Sequence, residues 1–323
     1  MSKNKFICLI LVVILSILAI VFIFQAFGLK EVGVDNDIKR PDRRQIPPVY
    51  NVLIPKKLNF CGEPVPMDMF LVREFLEREL TSNSYFHSST LMLFKRANRW
   101  FPIIETILEK NNIPLDFKYL AVIESNLENS VSPAGAAGFW QILPTTAREY
   151  GLEVNNGIDE RYHLEKATEV ACNYLQKSFD NYGSWTLAAA AYNAGNTKIT
   201  KSLSEQLVDN YYDLLLNQET ERYIFRILAI KTIFENPKQY GFYFENRELF
   251  PPIPTRNIEV NQTIPSLVNF AQENKITYKV LKYFNPWLRK ESLPNNSKKT
   301  YYIKVPLEGY TNYSKLLRAD QLD

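Results

Sequence analysis

The chain has 323 residues, a formal net charge of +3, 19 Tyr, 20 Phe and two histidines. Its length allows a large core and more than one domain, and the weak charge bias gives no argument for nucleic acid. With only His87 and His163, a histidine-rich zinc site or a Ser-His-Asp triad is hard to assemble.

From the N-terminus, Phe6 to Phe24 is apolar except for Ser16, and Lys3 and Lys5 precede it. At about 1.5 Å per residue this run roughly spans a bilayer core. The preceding lysines hold the N-terminus in the cytoplasm and send the rest across. Residues 1–27 therefore read as a membrane anchor, with a cleaved signal peptide ending at Ala26-Phe27-Gly28 as the competing reading. Residues 28–66 carry Pro41, Pro47, Pro48, Pro55, Pro64 and Pro66, and predict an extended tether. Cys61 and Cys172 are the cysteines beyond the apolar run. An exported compartment permits a disulfide between them; two buried thiols are the alternative.

Residues 67–250 predict an all-helical body. Asp68 is placed as the cap of a helix from Met69, with Phe70, Phe75, Leu76 and Leu80 as its apolar stripe. Ser88 or Ser89 opens a second helix over Leu91–Ile107. Pro114 and Asp116 mark the start of a third, which carries Glu124 near its end. Pro144 suits the first turn of a short helix stopped at Gly151. Leu164–Phe179, an Ala-rich helix at Trp185–Tyr192 and a long amphipathic helix at Gln218–Phe234 complete the body. After Pro251-Pro252 the texture changes. Strands at Asn257–Val260 and Tyr301–Val305 flank helices at Ile264–Asn274 and Tyr278–Phe284, a β-α-α-β module within 255–323.

Carboxylate chemistry is what the composition leaves open. Glu124 follows Ala121-Val122-Ile123 and precedes Leu127. A carboxyl group withdrawn from water resists ionisation and can serve as an acid near neutral pH. Most glycosidases need two carboxylates, and no second one lies near Glu124 in sequence. Asp159-Glu160-Arg161 reads as a structural cluster pairing with neighbouring chain. A single acid/base suffices where the substrate supplies its own nucleophile, as the C6 hydroxyl of N-acetylmuramic acid can.

Four ordered motifs carry a resemblance. They are Glu124-Ser125, Gly138-Phe139-Trp140-Gln141, Ala191-Tyr192-Asn193-Ala194-Gly195, and Glu219-Thr220 followed by Tyr223. Together they make residues about 60–250 resemble the soluble-lytic-transglycosylase domain of the membrane-bound lytic murein transglycosylase D group. The resemblance implies a mainly α, goose-type lysozyme-like fold. It also implies cleavage of the β-1,4 bond between N-acetylmuramic acid and N-acetylglucosamine, leaving a 1,6-anhydro end, with no cofactor. Glu124 is then the catalytic acid and base. Ser125, Gln141, Tyr192, Asn193 and Tyr223 are the implied substrate-binding residues; the alternatives are Ser125 as a residue orienting the carboxylate, Tyr192 and Tyr223 as core aromatics with satisfied hydroxyls, and Asn193 as a helix C-cap. The C-terminal module resembles a degenerate LysM domain, a glycan-binding fold. Asn261-Gln262 replaces its usual opening Gly-Asp, and Pro286-Trp287 follows Asn285 where polar residues are commoner; a module that packs against the helical body and binds no glycan is the alternative.

The implied partners are peptidoglycan strands and, through the N-terminal segment, a membrane, which places the protein in the cell envelope on the periplasmic side. A hydrolase on the same fold is the second reading and needs another carboxylate as base. A non-catalytic wall-binding scaffold is the third; retention of Glu124 within the full motif set weighs against it.

Overall fold

The computed structural model describes residues 49–319. The apolar segment 6–24 and most of the tether lie outside them. Among the described residues no helix is long and apolar enough to cross a membrane. Residues 51–319 form one compact unit.

The stretch expected as tether is folded at its end. β1 (Asn59–Phe60) and β2 (Glu63–Pro64) form an antiparallel hairpin. Its turn residues, Cys61 and Gly62, both have positive φ, as the twist of a two-residue hairpin requires. Phe60 is fully buried, with its ring edge-on to Phe117 at 5.4 Å.

α1 (Phe70–Tyr85) buries Val72, Leu76 and Leu80 at helical spacing, and leaves Phe70 69% exposed. The expected stripe is therefore rotated away from Phe70. Asp68 does not cap this helix; Met69 holds that place without a side-chain bond. α2 (His87–Lys110) starts ahead of Ser88 and Ser89 and runs through Pro102. A 3₁₀ turn at Leu115–Phe117 leads into α3 (Lys118–Ser125). α3 stops because Asn126 takes the left-handed conformation, which Asn tolerates better than most residues. Pro144 does open α4 (Pro144–Glu149). α5 (Leu164–Tyr182) ends at left-handed Gly183.

α6 (Trp185–Ala194) buries Ala188, Ala189, Ala190 and Ala191 completely. Small side chains there let α5 and α8 approach closely. Its N-terminus is fixed by the hairpin: the Glu63 carboxylate accepts from the Thr186 amide at 3.0 Å and the Thr186 hydroxyl at 2.6 Å. An anion at a helix N-terminus is favourably placed. α7 (Asn196–Gln206), unanticipated from sequence, follows. α8 (Gln218–Glu235) is no surface amphipath. Ile224, Ile227, Leu228, Ala229 and Ile233 are all fully buried, and it packs on α1, α3 and α6 as the central helix. Its Lys231 is buried but bonded to Asp116 Oδ2 at 2.6 Å and to the Asn59 carbonyl at 3.0 Å, the condition under which a buried cation is tolerated.

Cys61 and Cys172 are free thiols. Burial raises both, Cys172 to about 12, so neither is a reactive thiolate at neutral pH.

The C-terminal module has the expected order: β3 (Thr255–Val260), α9 (Leu267–Glu273), α10 (Tyr278–Phe284) and β4 (Tyr301–Pro306). β3 and β4 pair antiparallel, with Thr255 opposite Pro306 and Val260 opposite Tyr301. Ser266 and Thr277 cap the two helices. A further helix, α11 (Tyr313–Ala319), follows. The module's core does not close on itself: Ala137, Ile158 and Tyr162 of the body belong to the same hydrophobic cluster as Leu267, Leu281 and Ile303.

Candidate active site

Glu124 sits in the last turn of α3, where the unsatisfied carbonyls of the helix end disfavour a negative charge. It opens onto a groove of about 440 Å³. One wall is the loop from Ser132 to Leu143; the other comes from Val170, Ala171 and Tyr174 of α5 and Tyr192 to Gly195 at the end of α6. Glu219, in the first turn of α8, completes the lining.

The Glu124 carboxyl has one short side-chain partner, the Tyr223 hydroxyl, which donates to Oε1. Burial pushes its pKa up and prevails over the Tyr223 hydrogen bond and the Arg226 charge, which pull it down; the nearby Glu219 charge pushes it up further. The result is an acid that holds its proton at higher pH than a solvated glutamate. Arg226 does not pair with the carboxylate. Its Nη2 donates to the Ile123 carbonyl at 2.9 Å, tying α8 to the end of α3.

The other expected residues divide. Tyr223 is 1% exposed and touches Glu124. Tyr192 lines the groove and donates its hydroxyl to the Trp140 carbonyl at 2.7 Å. Gln141 lines it as well. Its Nε2 donates to the Gly138 carbonyl at 2.8 Å and the Ser130 carbonyl at 3.1 Å, and its own backbone has φ of 45°. That leaves its Oε1 free to accept from a ligand. Asn193 lies at the groove edge, accepting from the Thr220 hydroxyl at 2.8 Å and donating to Glu219 Oε1 at 3.4 Å. Ser125 is different. It is buried, its hydroxyl donates back to the Ala121 carbonyl at 3.1 Å, and it does not line the groove. Its geometry is that of a helix-end residue facing the core.

Tyr174 and Glu219 are among the groove residues that the sequence analysis did not assign. Tyr174 stacks edge-on to Tyr192 at 5.4 Å, and its hydroxyl donates to the Ala191 carbonyl at 3.0 Å. Glu219 was part of a quoted motif but had no assigned role; only the fold brings it to Glu124. Asp159, Glu160 and Arg161 are structural, as expected. Asp159 pairs with Arg161 at 2.7 Å and Glu160 with Lys166, and none of these side chains lines the groove itself. Among the described residues no His, Cys, Asp and Glu cluster is built to hold a metal ion.

Residues 102–213 match the family model described as the transglycosylase SLT domain, and residues 256–309 match the soluble lytic transglycosylase C-terminal LysM-like domain. The chain is 35% identical over 178 residues to membrane-bound lytic murein transglycosylase D from two Escherichia coli strains. That stretch covers 53% of this chain and 38% of each relative, so the chain spans well under half of those proteins. Among solved structures, an inactive mutant of the lytic transglycosylase Slt from Pseudomonas aeruginosa aligns with 56% of this chain and 35% of its own, at 15% identity and a TM-score of 0.34. That likeness is too slight to carry an argument. The chain thus contains a transglycosylase SLT domain and a LysM-like C-terminal domain.

Proposed function

We propose that this chain, with its SLT and LysM-like domains, is a lytic transglycosylase acting on peptidoglycan. The observation that carries the reading is one carboxyl, Glu124, whose pKa burial raises, opening on a groove of about 440 Å³ lined by Gln141, Tyr192 and Asn193. Glu124 protonates the oxygen leaving from the anomeric carbon of N-acetylmuramic acid. The C6 hydroxyl of the same sugar then attacks that carbon, and the Glu124 carboxylate takes its proton. The products are a 1,6-anhydro end and a free N-acetylglucosamine hydroxyl. Tyr223 orients the carboxyl; Gln141, Tyr192 and Asn193 position the sugar from the two walls. Ser125 acts through the end of α3 rather than by touching substrate.

The test is mass spectrometry of the products formed from purified peptidoglycan by residues 29–323. Anhydro-muropeptides, one water lighter than reducing ends and absent with Glu124→Gln, are expected. Reducing ends would sink the transglycosylase reading and point to a hydrolase. Glu219 is the specific observation favouring that second reading, since it adds a second carboxylate to the groove lining. No product from folded protein would move the weight to a wall-binding scaffold.

The same reading places the chain in the cell envelope, on the periplasmic side, held to a membrane by residues 6–24. Alkaline carbonate extraction of cell envelopes should leave the full chain in the pellet; its release would remove the anchor. The C-terminal module contributes glycan contact beyond the groove. Weaker sedimentation with peptidoglycan by a full chain altered at exposed Tyr302 or Tyr283 is expected; unchanged sedimentation would argue against that contact.

A further inference from the structure

The C-terminal module touches the body mainly at one segment, 153–165. The Asp159 amide donates to the Trp287 carbonyl at 2.9 Å and the Arg289 amide to the Gly157 carbonyl at 2.8 Å, bridging Ile158 to Leu288. Side chains reinforce the contact. Tyr301 Oη and Lys299 Nζ both reach Glu153 Oε2, at 2.9 and 2.8 Å, and Lys304 pairs with Glu165. The Arg289 guanidinium lies 4.3 Å from the centre of the Tyr162 ring.

The same segment holds the groove wall from behind. The Asp159 carboxylate takes Nε and Nη2 of Arg161 at 2.9 and 2.7 Å, which fixes the guanidinium. The remaining nitrogen, Nη1, donates to the Gly135 carbonyl at 2.6 Å and the Ile142 carbonyl at 3.1 Å. Those carbonyls belong to the loop that carries Ser132, Ala136 and Gln141 into the groove. Gly138 lies so close that a Cβ there would stand 2.0 Å from the Arg161 carbonyl oxygen. Ala137, between them, packs into the module's own core.

We propose that Arg161 is a positioning residue for the Gln141 wall of the groove, and that the C-terminal module is the clamp that holds Arg161 in place. The module is then part of the catalytic apparatus, whatever glycan it contacts. The inference rests on the reading of the groove as a glycan site, but its first readout does not need activity. A loop with one left-handed non-glycine residue, Gln141, and few helical bonds has little intrinsic order, so its geometry depends on what backs it.

The experiment is hydrogen–deuterium exchange on the full chain, comparing wild type with Arg161→Lys and Arg289→Ala. Lysine keeps the charge but loses the fork that spans both carbonyls. Arg289→Ala loosens the clamp at the module's surface and leaves its core intact. Both variants should exchange faster over residues 130–143, with α6 and α8 unchanged. Unchanged exchange in that loop for Arg161→Lys overturns the positioning role; unchanged exchange for Arg289→Ala alone overturns the clamp. Where wild type makes product, Arg161→Lys should lower kcat about 10- to 100-fold, the usual effect of losing a supporting shell, while the pH profile set by Glu124 stays put. Its effect should also fail to add to that of Gln141→Ala; full additivity would show that Arg161 acts elsewhere. Absence of product from wild type would count against the proposed activity and leave the exchange result standing.

Discussion

Glu124 at the groove and Glu165 at the module contact are both partly buried glutamates, and burial pushes both carboxyls up. Their neighbours decide the outcome. At Glu165 the neighbouring His163 ring, 3.3 Å away, and the Lys304 charge overcome burial and bring the pKa down to about 2. At Glu124 a neutral phenol and a guanidinium turned to a carbonyl do not, and the pKa stays raised. A cation pairs directly with the carboxylate at the module contact, and the cation nearest the groove carboxyl is bonded to a backbone carbonyl instead. Burial alone therefore does not mark an acid; burial with a neutral partner does.

Replacing the acid gives the largest effect. Glu124→Gln should lower product formation by about 10²- to 10⁴-fold, the range of general acid–base catalysis, with the fold intact. It should also stabilise the protein at neutral pH. A carboxyl whose folded pKa lies above its unfolded value favours the folded state at low pH, and that advantage fades as pH rises through the folded pKa. Gln removes the resulting charge penalty, so the gain in Tm should be clear at pH 7 and shrink toward pH 4. A variant less stable than wild type at pH 7 would mean that the ionised carboxylate is better solvated than the groove indicates.

Tyr223→Phe comes next. It keeps the ring, removes the one donor to Glu124, and so removes a contribution that lowers the pKa. The alkaline limb of the kcat profile should move to higher pH, and kcat should fall about tenfold, the loss of one hydrogen bond worth about 1.4 kcal/mol. A limb that moves to lower pH would show that the phenol stabilises the protonated form instead.

At the other carboxylate the expected change is in stability. Glu165→Gln should cost about 1 to 2 kcal/mol at pH 7, after discounting for solvent at a partly exposed pair. Its contribution is present above the unfolded pKa and lost as pH falls toward 2, the reverse of Glu124. Denaturant unfolding at pH 7 and pH 3 checks the sign. A larger loss at pH 3 than at pH 7 would overturn the assignment.

Only the Glu124 side of this contrast was legible in the sequence, and the gaps have physical causes. Glu124, Gln141 and Tyr192 stand in contiguous motifs, so the sequence alone singles them out, and the fold brings all three to one groove. The β-α-α-β order of the module follows from a change of period. Ser125 was misleading because neighbours on a helix face different ways; one faces the groove and the next the core. α8 looked amphipathic because its buried polar residues, Thr220, Lys231 and Thr232, find partners only in three dimensions. The hairpin at 59–64 hid among prolines, since two-residue strands carry no periodicity. Arg161 looked structural, and it is, but the sequence does not tell that the structure it holds is the groove wall.

Glu219 sharpens the comparison with the smallest effect. It lies in the groove, and its charge helps keep the Glu124 proton on. If that is its whole contribution, Glu219→Gln should shift the alkaline limb to lower pH and change kcat at the optimum by no more than about fivefold, as for a solvent-exposed charge. The products should remain anhydro ends. If instead Glu219 activates a water, the same substitution should remove about 10²- to 10⁴-fold of the rate, and wild type should yield reducing ends. The two outcomes differ in both rate and product mass. One variant therefore decides whether the groove holds one working carboxyl beside a helper charge, or the pair of carboxyls that hydrolysis needs.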